Sequence, residues 1–249
     1  QEALLRWPLI SEGEEEIRFS TDIDGQTLDV ADWLGGIRTT DTGQRGRVVL
    51  ETSNLVGKDK HYRGDKMIRH WVTHLASHLA GGPLTTTVIS IKGTVELAPI
   101  EISEARTHLN TLLAAWHLGM RRPLPLAAKS AFAWLRTMPS PGQTGSEADA
   151  LPAESRDRDP DGATQAPGSA LEKAMKASRN AYDGTFNQIG EVVTCAYLQR
   201  AYPDFNALSA SGEFANLAES LLRPLQRAMP AKGTKTDKSV AQTETGAAE

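Results

Sequence analysis

Three histidines recur at four-residue intervals in the first half of the chain: His70, His74 and His78. Two histidines four residues apart on a helix can share a metal ion. The zinc-protease form of that pattern needs a glutamate directly after the first histidine, and Trp71 stands there instead. Because no cysteine or acid nearby completes a ligand shell, the spacing favours the polar face of a half-buried helix, or a face that contacts a partner or a phosphate backbone.

Carboxylates that could hold Mg²⁺ for phosphodiester hydrolysis are scarce in the same region. A metal-dependent nuclease brings two or more acids, usually with a lysine, to one metal position. Nucleases of the restriction-endonuclease type carry an acid on the first strand of a hairpin and an acid-x-lysine triplet on the second. Here residues 86–91 contain no acid, and Glu96 is followed two residues later by Ala98. One carboxylate cannot hold the metal, so if the scaffold is nuclease-like we expect it to have no catalytic residues and no metal site.

Basic residues cluster beside aromatic ones. Seven basic side chains fall within thirteen residues, with Tyr62 and Trp71 beside them: Lys58, Lys60, His61, Arg63, Lys66, Arg69 and His70. A second pair, Arg121 and Arg122, follows later in the chain. Cations interleaved with aromatic rings suit phosphate neutralisation and base stacking. A solvated loop and helix face would carry the same pattern, so both interpretations stay open.

Several other chemistries have no motif in this sequence. The phosphate-binding G-x-x-x-x-G-K-[ST] and the nucleophile elbow G-x-S-x-G are both absent. The single cysteine, Cys195, lies in an apolar run and is predicted to be a core residue. No apolar run approaches the roughly 20 residues that span a bilayer, and no signal-peptide pattern follows Gln1. We expect a cytoplasmic fragment of a longer protein without membrane contact.

The elements that must position these residues follow from turns and periodicity. The segments EIRFS and QTLDV flank a DIDG turn and predict a hairpin, and GRVVLE predicts a further strand. Met67, Trp71 and Leu75, spaced by four residues, predict an amphipathic helix that ends at a glycine pair. The β-branched runs on both sides of Lys92 and Gly93 predict a second hairpin. Further helices are predicted from SEARTHLNTLLAAWHLG and from AKSAFAWL. This order predicts an α/β (α+β) fold.

Composition divides the chain into five segments. Residues 1–16 carry five glutamates and one arginine and are predicted to form an acidic arm or linker before an α/β body over 17–138. Residues 139–168 and 230–249 have too few large apolar side chains to form a core, and are predicted to be a disordered insert and tail. Three helical runs over 169–229 are predicted to complete the domain of residues 17–138.

The order of these motifs resembles the C-terminal region of the RecC family, the gamma subunit of bacterial exonuclease V, which is the RecBCD helicase–nuclease. The similarity runs from about residue 15 to about residue 229 and is most specific in LNTLLAAWHLGMRRPLPL followed by SAFAWL. It continues at Tyr182, Gly184, Gly190 and Glu191. The resemblance implies an inactivated restriction-endonuclease-like (PD-(D/E)XK-like) domain with extra helices, in agreement with the missing acid and lysine.

The resemblance also implies a function in double-strand-break repair and homologous recombination. The domain would scaffold the beta (RecB-like) and alpha (RecD-like) subunits, which use Mg²⁺ and ATP, and would handle double- and single-stranded DNA. The chain itself would need no cofactor. The residues we expect to contact DNA are Lys58, Lys60, Arg63, Arg69, Arg121 and Arg122. Two alternatives remain: a live nuclease with metal ligands Asp65, Glu96 and Glu101, and a purely structural interaction domain in which the basic stretch is solvated.

Overall fold

The computed structural model describes residues 2–10, 13–139 and 169–230. Its α-helices are α1 Glu2–Arg6, α2 Gly64–Gly81, α3 Ile102–Gly119, α4 Ala128–Thr137, α5 Ala170–Asp183, α6 Ala196–Ala201, α7 Phe205–Ser209, α8 Glu213–Leu217 and α9 Arg223–Ala228. Its strands are β1 Leu9–Ile10, β2 Glu15–Ile23, β3 Gln26–Leu34, β4 Ile37–Thr39, β5 Arg45–Leu50, β6 Thr85–Ile89, β7 Thr94–Leu97, β8 Gly184–Thr185 and β9 Gln188–Ile189.

The chain divides into two compact units. The first contains Gln1–Leu124 and Ser220–Glu249, and the second contains Pro125–Glu219. The single domain of residues 17–138 and 169–229 that composition indicates stays a prediction. Helix α4 packs against α5, so its apolar face, which includes Phe132 and Leu135, is buried within the second unit.

The first unit is built on a five-stranded mixed sheet in the order β1-β4-β5-β6-β7. Strands β5 and β6 are parallel, and the other neighbouring strands are antiparallel. A parallel pair needs a long crossover connection, and α2 supplies it. The prediction of a mixed α/β architecture is thus confirmed, as is the hairpin around Lys92 and Gly93.

Strands β2 and β3 form a separate two-stranded hairpin of nine residues a side. The turn residues Asp24 and Gly25 have φ angles of 52° and 74°. Two consecutive positive φ values suit the right-handed twist of a tight hairpin, and Asp-Gly is a preferred pair there. Alternate side chains of β2, including Ile17 and Phe19, are buried, which confirms the predicted hairpin.

Helices α2 and α3 cover this unit and run antiparallel. The predicted stripe of α2 is confirmed, since Met67, Trp71 and Leu75 are all buried. Two contacts fix the direction of α3. The N–H of Ile100, just before α3, donates to His78 in the last turns of α2, and the His108 ring lies 6.0 Å from the ring of Trp71. The end of α3 is therefore at the same end of the helix pair as the start of α2.

The predicted acidic arm contains regular structure. Helix α1 and strand β1 fall within residues 1–16, and β2 begins there. Trp7 is 1% exposed and lies against Gly46 of β5, where a methyl group would clash with its ring. The buried indole of Trp7 thus anchors this acidic segment to the sheet.

The second unit is helical with one small hairpin. Its core joins Trp134, Phe214, Phe205 and Tyr182 through ring contacts of 5.6 to 6.3 Å between centroids. The run predicted as one helix around Cys195 is a 3-10 turn, Val192–Thr194, followed by α6, and Cys195 is only partly buried. The segment predicted as the last helix is α8, a π-turn over Ala218–Leu222 and α9.

Residues 140–168 of the predicted insert and 231–249 of the predicted tail lie outside the described residues. In the described part of the chain, no helix is long and apolar enough to cross a membrane.

Candidate nucleic-acid interface

The three histidines of α2 face inward and are 5%, 0% and 1% exposed in chain order. His74 Nδ1 lies 2.9 Å from Thr86 Oγ1 on β6. His78 Nδ1 donates to the carbonyl of His74 at 2.7 Å, and its Nε2 accepts from the N–H of Ile100 at 3.1 Å. One donor and one acceptor are the hydrogen-bonding pattern of a neutral imidazole. The predicted contact of this face with a partner or a phosphate is therefore wrong.

Burial accounts for the lowered pKa of His74 and of His78. Burial lowers the pKa of His74 to about 3, and the neighbouring His78 adds to the effect. Burial likewise lowers the pKa of His78. No group of three or more metal-ligating side chains occurs among the described residues. The row of histidines joins α2 to the sheet and to the start of α3.

Glu51 follows β5 directly and belongs to the candidate site, although no sequence pattern pointed to it. It is 5% exposed and accepts hydrogen bonds from Ser53 N at 2.8 Å, from His70 Nε2 at 3.0 Å and from Arg69. The hydrogen bonds from Ser53 and His70 are the largest causes that lower its pKa to about 2. The carboxylate is therefore ionised at neutral pH and holds Arg69 on the surface of α2.

The two aromatic residues of the predicted stacking surface are core residues. Tyr62 and Trp71 are 6% and 3% exposed. The hydroxyl of Tyr62 donates to the carbonyl of Thr94 on β7 at 2.8 Å. Neither ring is available to an unpaired base, so the basic cluster cannot use them for stacking.

A loop before α2 presents Lys58 and Lys60, which are both exposed. It is closed by a bridge between Val56 and Tyr62 and by a hydrogen bond of 2.9 Å from Gly57 N to the carbonyl of His61. Lys60 has a φ of 62°, the left-handed conformation of a tight turn. Neither lysine makes an ion pair with another described residue. The hydrogen-bonded backbone of this loop thus presents to solvent two lysines that have no ion-pair partner among the described residues.

Lys92 joins this loop in space although it is 32 residues away from Lys60 in sequence. Val56 N donates to the carbonyl of Lys92 at 3.0 Å, and the Lys92 side chain is exposed in the turn between β6 and β7. Gly93 beside it has a φ of 99° and lies against Val56, where a methyl group would clash. The sequence missed Lys92 because only the hairpin register brings it to the loop.

The remaining predicted cations are already engaged. Arg63 lies 3.2 Å from Asp65. Arg121 lies 3.3 Å from Asp24 in the turn between β2 and β3, and 2.6 Å from His117. Arg122 bonds the carbonyl of Pro123 at 3.4 Å. All of them are at the end of the unit where α2 begins and α3 ends. The structure therefore brings the predicted basic residues to one end, and it neutralises several of them.

The carboxylates of the live-nuclease alternative do not converge. Glu96 pairs with Arg6 at 2.6 Å, whereas Asp65 pairs with Arg63 on the loop side of α2. Glu101 is exposed at the N-terminus of α3. No triad of ligands forms from these three, so the geometry that the alternative requires is missing in the described residues.

The motif formed by Tyr182, Gly184, Gly190 and Glu191 has a structural role in the second unit. Glu191 accepts hydrogen bonds from Lys129 N, Ser130 N and Ser130 Oγ at 2.9 to 3.1 Å, and so caps α4. A carboxylate at a helix N-terminus satisfies unpaired N–H groups and the helix dipole. A methyl group on Gly190 would lie 2.3 Å from the carbonyl of Tyr182. Only glycine allows this approach.

Part of the chain matches a known protein family. A family model described as the RecC C-terminal domain matches residues 1–139. No curated protein matches the chain. The matched segment is more than half of the chain and includes the basic loop, α2, the hairpin that carries Lys92, and α3.

Proposed function

Because the chain belongs to the RecC C-terminal domain family, we propose that it is the non-catalytic C-terminal domain of an exonuclease V gamma subunit that scaffolds its partner subunits and handles DNA strands. Membership of this family indicates a role in the RecBCD complex, and with it in DNA repair and recombination. The partners in this proposal are the RecB-like and RecD-like subunits in the cytoplasm, which supply ATP- and Mg²⁺-dependent chemistry. The scaffold in this proposal is restriction-endonuclease-like.

One observation carries the DNA-handling part of the proposal. Lys58 and Lys60 project from an ordered loop, and Lys92 lies beside them in the adjoining hairpin turn. Three exposed cations held on fixed backbone suit sequence-independent contacts to phosphates. The other basic residues at this end add positive charge, but their ion pairs with Asp65 and Asp24 reduce it.

A tryptophan at the same end supplies the aromatic surface that Tyr62 and Trp71 do not. Trp116, near the end of α3, is 52% exposed. Stacking of an unpaired base on an exposed aromatic ring contributes about 1–3 kcal/mol and tolerates any base. We therefore assign the handling of single strands to Trp116 together with the three lysines.

The test is DNA binding by the full chain at two salt concentrations, with Mg²⁺ present and the length of the DNA checked afterwards. Single-stranded and forked DNA should bind, should dissociate as salt is raised, and should remain intact. Replacing Lys58 and Lys60 by glutamate should weaken binding strongly. The matched control replaces Lys173 and Lys176, two exposed lysines of α5, by glutamate and should leave binding nearly unchanged.

Other outcomes favour the alternatives. Equal loss in both double variants, or no binding by the unmodified chain, would favour a purely structural domain and contradict the DNA-handling proposal. Mg²⁺-dependent shortening of the DNA that is abolished in Glu96→Ala would establish a live nuclease. Shortening that survives this change would point to contamination or to another site.

A further inference from the structure

The β2–β3 hairpin concentrates negative charge, although its turn reaches the basic end of the unit through the ion pair of Asp24 with Arg121. Residues 13–34 contain one basic residue, Arg18, and seven carboxylates: Glu14, Glu15, Glu16, Asp22, Asp24, Asp29 and Asp32. Arginines engage Glu15, Glu16 and Asp24. Asp22, Asp29 and Asp32 make no ion pair with any described residue, and all three are exposed. A nucleic acid would be repelled from this hairpin.

The outer face of the hairpin also presents a large aromatic side chain. The register places Trp33 opposite Glu16 and Asp29 opposite Ser20, and directly opposite residues share a face. Trp33 is 62% exposed. Ser20 donates a hydrogen bond of 2.5 Å to Asp29, which orients the carboxylate without neutralising it. The face also carries Arg18, but this guanidinium is paired with Glu16. The indole ring and the carboxylate of Asp29 are therefore the groups that the face offers to a lysine or arginine side chain.

One edge of this ladder has no strand beside it, although the Trp33 N–H already donates to Asp32 Oδ1 at 2.8 Å. Strand β2 packs on α2 and α3, and β3 pairs with β2. Within the described residues no other strand pairs with β3, although β3 is nine residues long. An open edge of this length is a template for another strand, and charged side chains keep it from pairing with copies of itself. Repulsion between acidic copies leaves the edge accessible to a segment of opposite charge.

We propose that β3 and its outer face form a docking surface for an extended, lysine- or arginine-rich segment of a partner protein, which adds as a strand to the open edge of β3. Alternate side chains of such a strand lie on the face of Trp33 and Asp29. Cations four residues apart in the added strand match the spacing of Trp33 and Asp29. The charge of the face selects a basic protein segment over a nucleic acid. This inference does not depend on DNA binding at the basic end.

The test uses the full chain and a synthetic peptide of nine residues, the length of β3, in which lysine alternates with valine. The peptide should slow amide hydrogen exchange at the free edge of β3, and its affinity should fall with salt. Asp29→Asn should weaken binding by about two- to fivefold, and Trp33→Ala by about three- to tenfold. Because these side chains are exposed, the hairpin should still form, which the exchange of β2 amides reports directly.

Three controls decide between docking and simple charge attraction. A peptide with the same lysines but with proline in place of two valines cannot form the ladder and should bind at least tenfold more weakly. Asp41→Asn removes one exposed carboxylate elsewhere in the unit and should change affinity less than twofold. Equal binding of the proline peptide, equal loss in Asp41→Asn, unchanged exchange of β3, or protection of the same amides by single-stranded DNA would each overturn the proposal.

Discussion

Ile100 and His78 are joined by a hydrogen bond of 3.1 Å from a backbone N–H to an imidazole Nε2, and this bond connects the start of α3 to the last turns of α2. We expect His78→Asn to lower the free energy of unfolding by about 1–3 kcal/mol, because the shorter side chain leaves the N–H of Ile100 without its acceptor. Urea unfolding measures the loss. His61→Asn, in the loop before α2, is the control and should cost less than about 1 kcal/mol. Equal losses would contradict the structural role of His78.

The buried histidines predict that stability falls on mild acidification. Unfolded chains protonate histidine at its ordinary pKa of 6.5, whereas the folded state keeps His74 neutral down to about 3. The unfolded state therefore binds more protons between these values, and the free energy of unfolding decreases as the pH falls from 6.5, by up to about 1.4 kcal/mol per pH unit for this residue. Urea unfolding at pH 7.5, 6.5 and 5.5 measures the slope, and His74→Gln should reduce it. An unchanged slope in the variant would exclude His74 as its source.

Glu51 predicts a second loss of stability at lower pH. Its pKa is about 2 in the folded state against an ordinary value of 4.5, so its contribution is present above 4.5 and disappears as the pH falls toward 2. Glu51→Gln removes the charge that Arg69 and His70 contact, and should destabilise the unit by about 3–5 kcal/mol at pH 7. The difference in unfolding free energy between the unmodified protein and the variant should shrink below pH 4.5. A constant difference across this range would contradict the assignment.

The basic residues should contribute unequally to DNA binding. Lys58 and Lys60 make no ion pair with a described residue, whereas Arg69 is bound to Glu51. Single lysine-to-glutamine changes should each reduce the slope of log K against log salt by about 0.7–0.9, the value for one phosphate contact. Arg69→Gln should change it less, because a bound guanidinium must first leave its carboxylate. Equal slopes for Arg69→Gln and Lys58→Gln would show that the ion pair with Glu51 opens on binding.

Gly190 should tolerate no side chain. A methyl group there would lie 2.3 to 2.6 Å from backbone atoms of Tyr182 and Asp183, which belong to the last turn of α5. We expect Gly190→Ala to destabilise the second unit by about 3 kcal/mol, at the upper end of overpacking effects. Gly13→Ala is the matched control, because nothing lies within 4 Å of the added carbon. Thermal unfolding of both variants makes the comparison, and equal melting temperatures would contradict the packing argument.

Local signals in the sequence predicted the elements well where one physical cause dominates. The turn at Asp24 and Gly25 follows from backbone preference alone, and the stripe of Met67, Trp71 and Leu75 follows from helix periodicity. The unit boundary after Leu124 has no such signal. It depends on which core the apolar face of α4 joins, and that is decided by tertiary packing.

The site was harder to predict because a polar residue type does not show whether the side chain is buried or exposed. His70, His74 and His78 were expected at a surface, yet each is buried with an internal hydrogen-bonding partner. Those partners, such as Thr86 and Ile100, lie in later elements of the chain. Lys92 was missed for a different reason. It lies beside the basic loop only because of the register of the β6–β7 hairpin, which a count of basic residues along the sequence does not contain.

The parallel pairing of β5 with β6 sets a folding order for the basic end. Residues 51–84 must close as a crossover before these two strands can meet, and such non-local closure is slow compared with forming a local hairpin. The loop with Lys58 and Lys60 is hydrogen-bonded to the turn after β6, so it reaches its place beside Lys92 only after this closure. During synthesis, the basic end therefore matures after β7 has emerged, whereas the β2–β3 hairpin can form much earlier.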